Sequence, residues 1–371
     1  MRELANILKI NKLEPIPNYD KIELATIENW KVIVQKGQFS VGDFCVYCEY
    51  DTVLPEIPEF EFLRSRCYNK QYKGFRIRNM KMAGVYSQGI AFPIDILTPY
   101  WNKVELKEGF PVADILNIRR YDPDELNERS VSEPKSKLHK KLMKFKLYRN
   151  IYKKFNYVEK KNYPKNISIS DETNIQKVFD NLKENYSDAN FYLTEKLEGQ
   201  AATFCLQNRK ILCFKKREFS IYSHKIKRKL GDNSNWDKIA IQFAIEKKLR
   251  KLNKNYTIQG EIIGEGIQKN IYGIKGLDFY IYKVTESETG YALNFRELID
   301  FCEKINIKIV PILGVSKLLD SIDKMITFSD GKSLLYNGLR EGIVWRHTKD
   351  QNISFKAKSP EYDIWFNKKE K

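Results

Sequence analysis

The sequence predicts a small all-β barrel followed by a larger domain of mixed strands and helices. Residues 1–100 read as short strands separated by turn signals such as Lys36-Gly37, a pattern typical of a barrel or sandwich. Residues 121–134 are polar and contain proline, as expected of a linker. From residue 160 onward, strand-like and helix-like stretches follow one another. The length of 371 residues also fits two domains.

The composition favours some classes of protein function and argues against others. The formal net charge of +17 favours a polyanionic partner, most simply a nucleic acid. No apolar run is long enough to span a membrane, and the N-terminus lacks the apolar core of a secretory signal, so we expect a cytoplasmic protein. Only three histidines are present, which gives little support to chemistry that depends on a histidine base.

The six cysteines are scattered. Cys45 and Cys48 form a C-x-x-C, but no second pair accompanies it, and a spacing of three in a strand places the thiols on opposite faces. We therefore favour buried free thiols in a reducing compartment over a zinc site.

The N-terminal strands are predicted at 21–27, 30–36 and 43–55. A basic stretch with interleaved tyrosine and phenylalanine follows, and such a stretch can bind a single RNA strand or can be an ordinary solvated loop. The candidate RNA-binding residues are Arg64, Arg66, Lys73, Arg76, Arg78 and Lys81.

Residues 135–161 contain eleven Lys or Arg and one acid, Glu159. Apolar residues recur there at helical spacing, from Leu138 to Phe155, so the segment is predicted to be a basic amphipathic helix. We favour docking by its apolar face with its basic face toward a phosphate backbone. A solvated face or a membrane surface are the alternatives.

The C-terminal region is predicted to contain eight strands and three helices. The strands are placed at 190–194, 201–206, 210–216, 256–263, 278–284, 307–311, 341–346 and 352–357. The helices are placed at 171–184, 235–252 and 294–305, the first starting at Ser170 or Asp171.

Five segments place charge where strands favour apolar residues. They are Lys196-Leu197-Glu198-Gly199, Lys216-Arg217-Glu218, Gly260-Glu261, Glu341-Gly342 and the Lys356-Ala357-Lys358 strand. Each segment alone is weak evidence for a functional site, because a turn or an exposed strand face would have a similar sequence. Their order is more specific, and the phrase GEIIGEGIQKNIYGIKGLDFYIYKV strengthens it.

This order resembles the covalent nucleotidyltransferases, namely ATP-dependent ligases and capping guanylyltransferases. The phrase above is most similar to RNA ligases, and residues 1–115 resemble the OB module of the branch called the fifth RNA ligase family. The resemblance implies an OB-like barrel (1–115), a basic linker (116–160) and an α+β catalytic domain (161–371), ATP-grasp-like, with antiparallel sheets.

The resemblance also implies roles for the charged residues. Lys196 would be the nucleophile that attacks ATP, with its pKa lowered by burial and by neighbouring cations. Glu198, Glu261 and Glu341 would hold Mg²⁺ or Mn²⁺ or orient the ribose. Lys356 and Lys358 would neutralise the α-phosphate. Relatives often carry Asp or His where this chain has Glu198.

Four further positions follow from the same resemblance. Gly199 would allow a sharp turn beside the nucleotide. Arg217 would contact the ribose or an RNA 5′-phosphate, the Glu195 segment would read the adenine edge, and Tyr282 would stack on adenine. Relatives mostly have Phe-Asp where this chain has Tyr282-Lys283, and Tyr282 could equally be a strand core residue.

The predicted activity is ATP-dependent joining of RNA 3′-OH and 5′-phosphate ends, at nicks in a duplex, by a monomer. A DNA ligase or guanylyltransferase is one alternative, although in those relatives an OB domain usually follows the Lys-x-Lys strand and here 13 residues follow Lys358. A non-catalytic RNA-binding protein is the other. The survival of all five charged segments argues against it.

Overall fold

The secondary structure comes from a computed structural model that describes residues 4–121, 163–169, 171–211, 214–223 and 226–369. The chain divides into two units, each described separately below. The first comprises residues 1–131, 175–180 and 360–371, and the second comprises 132–174 and 181–359. The predicted basic helix at 135–161 lies outside the described residues. The predicted domain boundaries at 115 and 160 stay predictions.

The strands of the first unit are β1 (Ala5–Ile16), β2 (Tyr19–Ile27), β3 (Trp30–Gln35), β4 (Phe44–Cys48), β5 (Thr52–Leu54), β6 (Tyr68–Asn69), β7 (Gly74–Arg76), β8 (Met80–Met82), β9 (Val85–Ser87), β10 (Ile90–Pro93) and β11 (Arg119–Arg120). Those of the second are β12 (Thr173–Asn174), β13 (Phe191–Glu195), β14 (Gln200–Ile211), β15 (Phe214–Ser223), β16 (Ile226–Arg228), β17 (Tyr256–Gly264), β18 (Leu277–Glu286), β19 (Ile312–Ser316), β20 (Gly342–His347) and β21 (Ser354–Lys358). The α-helices are α1 (Arg64–Cys67), α2 (Ile175–Tyr186), α3 (Asn235–Gln242), α4 (Ile245–Arg250), α5 (Phe295–Ile305), α6 (Ile322–Ser329) and α7 (Pro360–Lys369).

The long first strand curls the N-terminal sheet. Residues 5–9 of β1 pair with β4, whereas residues 10–16 pair with β2, with a register shift between Ile10 and Lys12. Because one strand serves two neighbours in succession, the antiparallel sheet β10-β4-β1-β2-β3 bends around its core. A second sheet, β11-β5-β7-β6, and the ribbon β8-β9 complete the all-β part.

The C-x-x-C lies within β4, and its two cysteines belong to different cores. Cys45 packs with Trp30 and Val32, whereas Cys48 packs with Phe60 and others on the opposite side of the strand. Burial raises the pKa of the Cys45 thiol to about 12, so this thiol is unreactive at neutral pH. Among the described residues, no group of His, Cys, Asp or Glu is arranged to enclose a metal ion.

The second unit contains two five-stranded sheets. Their orders are β12-β21-β20-β13-β19 and β16-β15-β14-β17-β18, and every pairing except β12–β21 is antiparallel. The second sheet packs one face on α3, α4 and α5, through Trp236, Ile239, Leu249, Leu298 and Phe301. This arrangement is the expected α+β fold with antiparallel sheets.

Several predicted elements differ from the structure. The strand expected at 43–55 is two strands, β4 and β5, and the strand expected at 210–216 covers the end of β14 and the start of β15. The single helix expected at 235–252 is broken, because Ala244 adopts a left-handed conformation with φ of 48°. Ile245 and Leu249 thereby reach the core. The strand expected at 307–311 forms only an isolated bridge at Ile309, and the strand proper, β19, begins at Ile312.

The helix expected to start at 170 or 171 begins later. Its N-cap is Asn174, and β12 precedes it, so Asp171 and Glu172 lie in an extended segment instead of the first turn. The sequence patterns did not predict α6 and α7. No helix within the described ranges is long and apolar enough to cross a membrane.

Candidate active site

Lys196 lies in the four-residue connection between β13 and β14. Its backbone N–H donates to the carbonyl of Gly342 at 3.0 Å, and the N–H of Glu195 donates to Pro311 at 2.9 Å. The N–H of Glu198 donates to the Tyr272 hydroxyl at 2.7 Å. The connection is therefore held on both sides by neighbouring segments, and the apolar strand stops at Lys196 because its side chain is directed to a polar site.

Gly199 is required by a close approach between two strands. A Cβ at this position would lie 2.4 Å from the carbonyl oxygen of Ile262 and 2.8 Å from Cγ of Glu261, both on β17. Any side chain would push β14 away from the strand that carries Glu261. The expected glycine thus serves the packing of the site.

Glu341 is the buried partner of the Lys196 amine. Lys196 Nζ lies 2.6 Å from both carboxylate oxygens, and the Glu341 side chain is 5% exposed. Lys358 Nζ lies 3.9 Å from the same carboxylate, because Gly342 and Lys358 pair directly across β20 and β21. Gly342 permits this approach, since a Cβ there would lie 2.4 Å from the carbonyl oxygen of Ala357.

The electrostatics of Lys196 differ from the sequence expectation. Burial lowers the pKa of the Lys196 amine, but the carboxylates of Glu341, Glu198 and Glu261 outweigh burial and the repulsion from Lys358, so that its pKa is raised. The expectation that burial and nearby cations lower it is wrong for the ligand-free chain. The reason is that three acids surround the amine and hold it as ammonium.

Lys356 projects from the same face of β21 as Lys358, two residues away. Its amine lies 3.3 Å from Asp171 Oδ1, in a pair with side chains that are 11% and 21% exposed. Asp171 comes from the extended segment before α2, which pairs in parallel with β21. The two lysines of the strand are therefore anchored by different acids.

Glu261 and Glu198 complete the acidic side of the site. Glu261 lies on β17 opposite Ala201, just beyond the Lys196 connection, and both glutamates act on the charge of Lys196. Within the described ranges no three acids form a cage that would enclose an ion by themselves. The oxygen donors do fit Mg²⁺ or Mn²⁺ bound through waters and substrate phosphates, because Mg²⁺ typically takes one or two protein carboxylates.

Tyr282 and Glu195 lie beside the nucleophile segment. Tyr282 is 8% exposed and packs in a cluster with Leu197, Tyr272 and Val310. Glu195 Oε2 accepts from the N–H of Leu334 at 2.8 Å, and its Oε1 is buried without a hydrogen-bond partner among the described residues. Burial raises the pKa of Glu195 despite hydrogen bonds from Ser333 and Leu334.

The structure does not bring Arg217 to this cluster. Arg217 pairs with Asn208 on β14, eight residues beyond Gln200, which corresponds to about 25 Å along a strand. Its guanidinium donates to Asn255 Oδ1 and to the carbonyls of Arg250, Leu249 and Leu252. It therefore ties the end of α4 to the sheet, a different task from the expected phosphate contact.

The six candidate RNA-binding residues of the first unit fall into three groups. Arg64 is paired with Glu56 and Glu61, and Arg76 is 7% exposed and paired with Asp51. Lys73 and Lys81 are exposed, with Lys81 over the ring of Tyr86. A shallow cavity of about 330 Å³ contains the other two candidates, and its lining residues are Arg66, Cys67, Tyr68, Asn69, Lys70, Gln71 and Arg78.

Four residues at the site were not predicted. Asp171 pairs with Lys356, Glu172 pairs with the buried Arg346, and Tyr272 holds the Lys196 connection. From the sequence, Asp171 and Glu172 could order the RNA end or start a helix, and the helix start was the prediction. In the sequence, Arg346 directly follows the apolar run GIVW, inside β20.

Fold and site together define the class. A lysine between two strands, surrounded by separated glutamates and by a Lys-x-Lys strand, is the arrangement of a covalent nucleotidyltransferase. The model of the RNA ligase family matches residues 189–358, and an OB-fold domain matches residues 4–94. None of the curated proteins matches the chain.

Solved structures agree over nearly the whole length. Naegleria gruberi RNA ligase with pyrophosphate is 26% identical, with 98% of each chain covered and a TM-score of 0.78. A mutant of the same enzyme with AMP and Mn gives 26% identity, 98% of each chain and a TM-score of 0.77. Another with ATP and Mn gives 26%, 99% of this chain, 98% of that chain and 0.78. Residues 189–358 therefore carry the catalytic domain of the RNA ligase family, and as in the Naegleria gruberi enzyme an OB-fold domain lies ahead of it in the chain.

Proposed function

We propose that this RNA ligase joins RNA 3′-OH and 5′-phosphate ends through a lysyl-AMP and then an RNA-adenylate. In the first step the Lys196 amine attacks the α-phosphorus of ATP, forming the P–N bond as the bond to pyrophosphate breaks. AMP then passes to the RNA 5′-phosphate, which frees Lys196. Attack by the 3′-OH forms the phosphodiester and releases AMP.

The observation that carries the proposal is the contact of Lys196 with Glu341, with Lys358 nearby. An amine flanked by a buried acid and by a second cation can act as a nucleophile toward phosphate only if it loses a proton. Glu341, at 2.6 Å, is within the distance of a proton acceptor. Lys358 and Lys356 stand where they can neutralise the charge that develops on the phosphate.

A divalent cation, Mg²⁺ or Mn²⁺, fits the group of carboxylates around Lys196. Glu198, Glu261 and Glu341 are the residues that would hold it. Bound there, the ion would supply positive charge that offsets the carboxylates now raising the pKa of Lys196 and that polarises the phosphate. The solved Naegleria gruberi structures with nucleotide and Mn support ATP and a divalent metal as cofactors.

The adenine site is proposed at Tyr282 and Glu195. Tyr282 offers a ring next to Leu197, directly after the nucleophile, and such a ring can stack on a base. The buried Oε1 of Glu195 is an acceptor without a partner in the described chain, which fits a donor group on the base. Backbone groups around Glu195 would read the rest of the adenine edge.

The RNA surface of the first unit is proposed at the cavity that includes Arg66, Lys70 and Arg78. This cavity has three cations and no acid in its lining, and Tyr68 adds a ring, as in surfaces that bind single strands. Arg64 and Arg76 contribute less, because their charges are already paired with acids. Lys73 and Lys81 would extend the surface.

The proposal also covers the oligomeric state, the RNA substrate and the cellular location. We propose a monomer that seals nicks in duplex RNA. A reducing, cytoplasmic setting is supported by the buried free thiols of Cys45, Cys48, Cys205 and Cys302.

Transfer of label from ATP tests the proposed reaction. The full chain is incubated with ATP labelled on the α-phosphate and Mn²⁺, then denatured and separated. We expect labelled protein for the wild type and for Lys254→Ala, whose lysine is 63% exposed in a surface pair with Glu286, and none for Lys196→Ala. Unlabelled wild-type protein, or labelled Lys196→Ala, would contradict the proposal. Label from GTP in place of ATP would instead indicate a guanylyltransferase.

A further inference from the structure

An extended segment ahead of α2 lies against the candidate active site. This segment, called the strap, comprises the described residues 163–169 and 171–174. Its last residues form β12, which pairs in parallel with Phe355 and Lys356 of β21. Earlier in the strap, the Ser168 carbonyl accepts from the side-chain amide of Gln259 at 3.0 Å. The strap therefore joins the edge of one sheet to β17 of the other.

The strap supplies the acid for one of the two site lysines. Asp171 Oδ1 lies 3.3 Å from Lys356 Nζ, and the Lys356 side chain is only 11% exposed. A lysine side chain has four rotatable carbons and takes many positions unless a partner fixes it. Asp171 is held in place by the strand pairing that begins two residues later at Thr173, so it restricts where the amine can go.

The next strap residue, Glu172, is connected through Arg346 to the ring of Tyr282, which is proposed to stack on adenine. Glu172 forms an ion pair with Arg346, whose side chain is 2% exposed and whose Nη1 donates to Thr194 Oγ1 at 3.1 Å. The guanidinium carbon lies 5.3 Å from the centre of the Tyr282 ring, close enough for a cation–π contact. An ion pair and a cation–π contact thus connect Glu172 through Arg346 to the Tyr282 ring.

A second buried cation, Lys283, lies near Glu172 and Arg346. Lys283 is 7% exposed, and its amine donates to Ser168 Oγ and Asn352 Oδ1, both at 2.8 Å. Neither of these partners carries charge. Lys283 and Arg346 repel each other, and the carboxylate of Glu172 attracts both, while Asp350 also attracts Lys283. Loss of the Glu172 charge would leave the buried Arg346 without its ion-pair partner, which is costly, so Glu172 fixes where Arg346 lies.

We propose that Asp171 and Glu172 are positioning residues of the nucleotidyl-transfer site, Asp171 through Lys356 and Glu172 through Arg346 and the Tyr282 ring. The inference rests on the proposed function. It predicts that loss of Glu172 and loss of Asp171 change different kinetic parameters, although the two residues are adjacent. Tyr282 would contact the base equally in ATP and in the transition state, so loss of its support raises KM. Lys356 would meet charge that develops during transfer, so its displacement lowers kcat.

The test measures kcat and KM for ATP in lysyl-AMP formation by the full chain. We expect Glu172→Gln to raise KM about 10-fold with kcat within about twofold, and Asp171→Asn to lower kcat about 10-fold with KM within about twofold. Glu172→Asp and Asp171→Glu keep the charge and should recover most of each loss. Asp188→Asn, which removes an acid that is 95% exposed and paired with Lys317, is the matched control and should behave as wild type.

A second variant pair tests whether Glu172 acts through the ring. In a Tyr282→Ala background, Glu172→Gln should raise KM by less than about twofold, because the group that it supports is gone. The inference is overturned if the two losses multiply, if both acids shift kcat and KM in the same way, or if neither changes them in folded protein. An unlabelled wild type is a different result, since it contradicts the proposed function itself.

Discussion

Positive charge is organised differently in the two units. In the second unit, Lys196, Lys356 and Arg346 are partly or wholly buried, and each has a carboxylate within 4 Å. In the cavity of the first unit, Arg66 and Lys70 are exposed and no acid lines the walls. Fixed and neutralised cations suit a reaction that requires one geometry, whereas exposed and uncompensated cations suit attraction to a phosphate chain. The comparison predicts large, salt-independent losses in one unit and modest, salt-dependent losses in the other.

The largest effect is expected at Glu341. Glu341→Gln keeps the size of the side chain but removes the charge that meets Lys196 and that would hold the metal. We expect lysyl-AMP formation to fall about 10²–10³-fold, the range found when a single stabilising group is removed from an active site. Glu265→Gln, at an exposed acid just after β17, serves as the control and should keep normal rates. A loss below tenfold would mean that Glu341 is not the partner that the reaction uses.

The next effect is expected at Gly199. In Gly199→Ala the new Cβ would meet the Ile262 carbonyl oxygen at 2.4 Å, so β14 and β17 must separate. Separation of the two strands would move Lys196 away from Glu261, and we expect a shift of about 1 Å to lower the adenylylation rate about 100-fold. Adenylylation kinetics, with circular dichroism to confirm folding, measure it. Normal kinetics in the folded variant would show that the strand spacing is not needed.

A smaller effect is expected in the first unit. The triple change Arg66→Ala, Lys70→Ala and Arg78→Ala should weaken binding to single-stranded RNA about 10-fold or more at low salt. It should also reduce the salt slope by about two, as the loss of three phosphate contacts predicts. Lysyl-AMP formation should not change. Arg64→Ala, whose charge is already paired with two acids, is the control. An unchanged salt slope in the triple variant would remove this cavity from the RNA surface.

The smallest effect is a pH dependence of stability at Lys283. Burial, with repulsion from Arg346, lowers the pKa of Lys283 to about 8, whereas the unfolded chain keeps the ordinary value of 10.5. Between these values the unfolded state binds the extra proton, so Lys283 makes the native state more stable as pH rises from about 8 to 10. Relative to Lys283→Met, the free energy of unfolding of the wild type should increase by up to about 1.4 kcal/mol per pH unit in this window. Urea titrations at pH 7, 8, 9 and 10 measure the difference. A constant difference would contradict the lowered pKa.

The sequence predicted those site residues whose charge interrupts the apolar pattern of a strand. Lys196, Glu341, Lys356 and Lys358 each place a charge at an apolar strand, and their order matched a known arrangement. The same reasoning located the antiparallel strands on which they lie. It could not predict pairing partners, because the contact of Lys196 with Glu341 joins positions 145 residues apart.

The residues that the sequence misplaced depend on lengths and pairings that are not local. Arg217 has a suitable spacing from Lys196, but β14 and β15 form a long hairpin that carries it away from the site. Asp171 and Glu172 looked like the first turn of a helix. Only the pairing of β12 with β21, which adds two residues to the edge of a sheet, shows that they reach Lys356 and Arg346.

Two lysines, the partly buried Lys196 and the buried Lys283, allow a direct test of the central claim. Lys283 has the lower pKa, but its neighbours are Ser168, Asn352 and Arg346. Lys196 has a raised pKa, but it lies beside Glu341 and Lys358. Tandem mass spectrometry of the chain after incubation with ATP and Mn²⁺, under conditions that preserve the P–N bond, identifies the lysine that carries AMP. We predict one AMP on the peptide that contains Lys196 and none on the peptide that contains Lys283. AMP on Lys283, or on neither peptide, would contradict the assignment of Lys196 as the nucleophile.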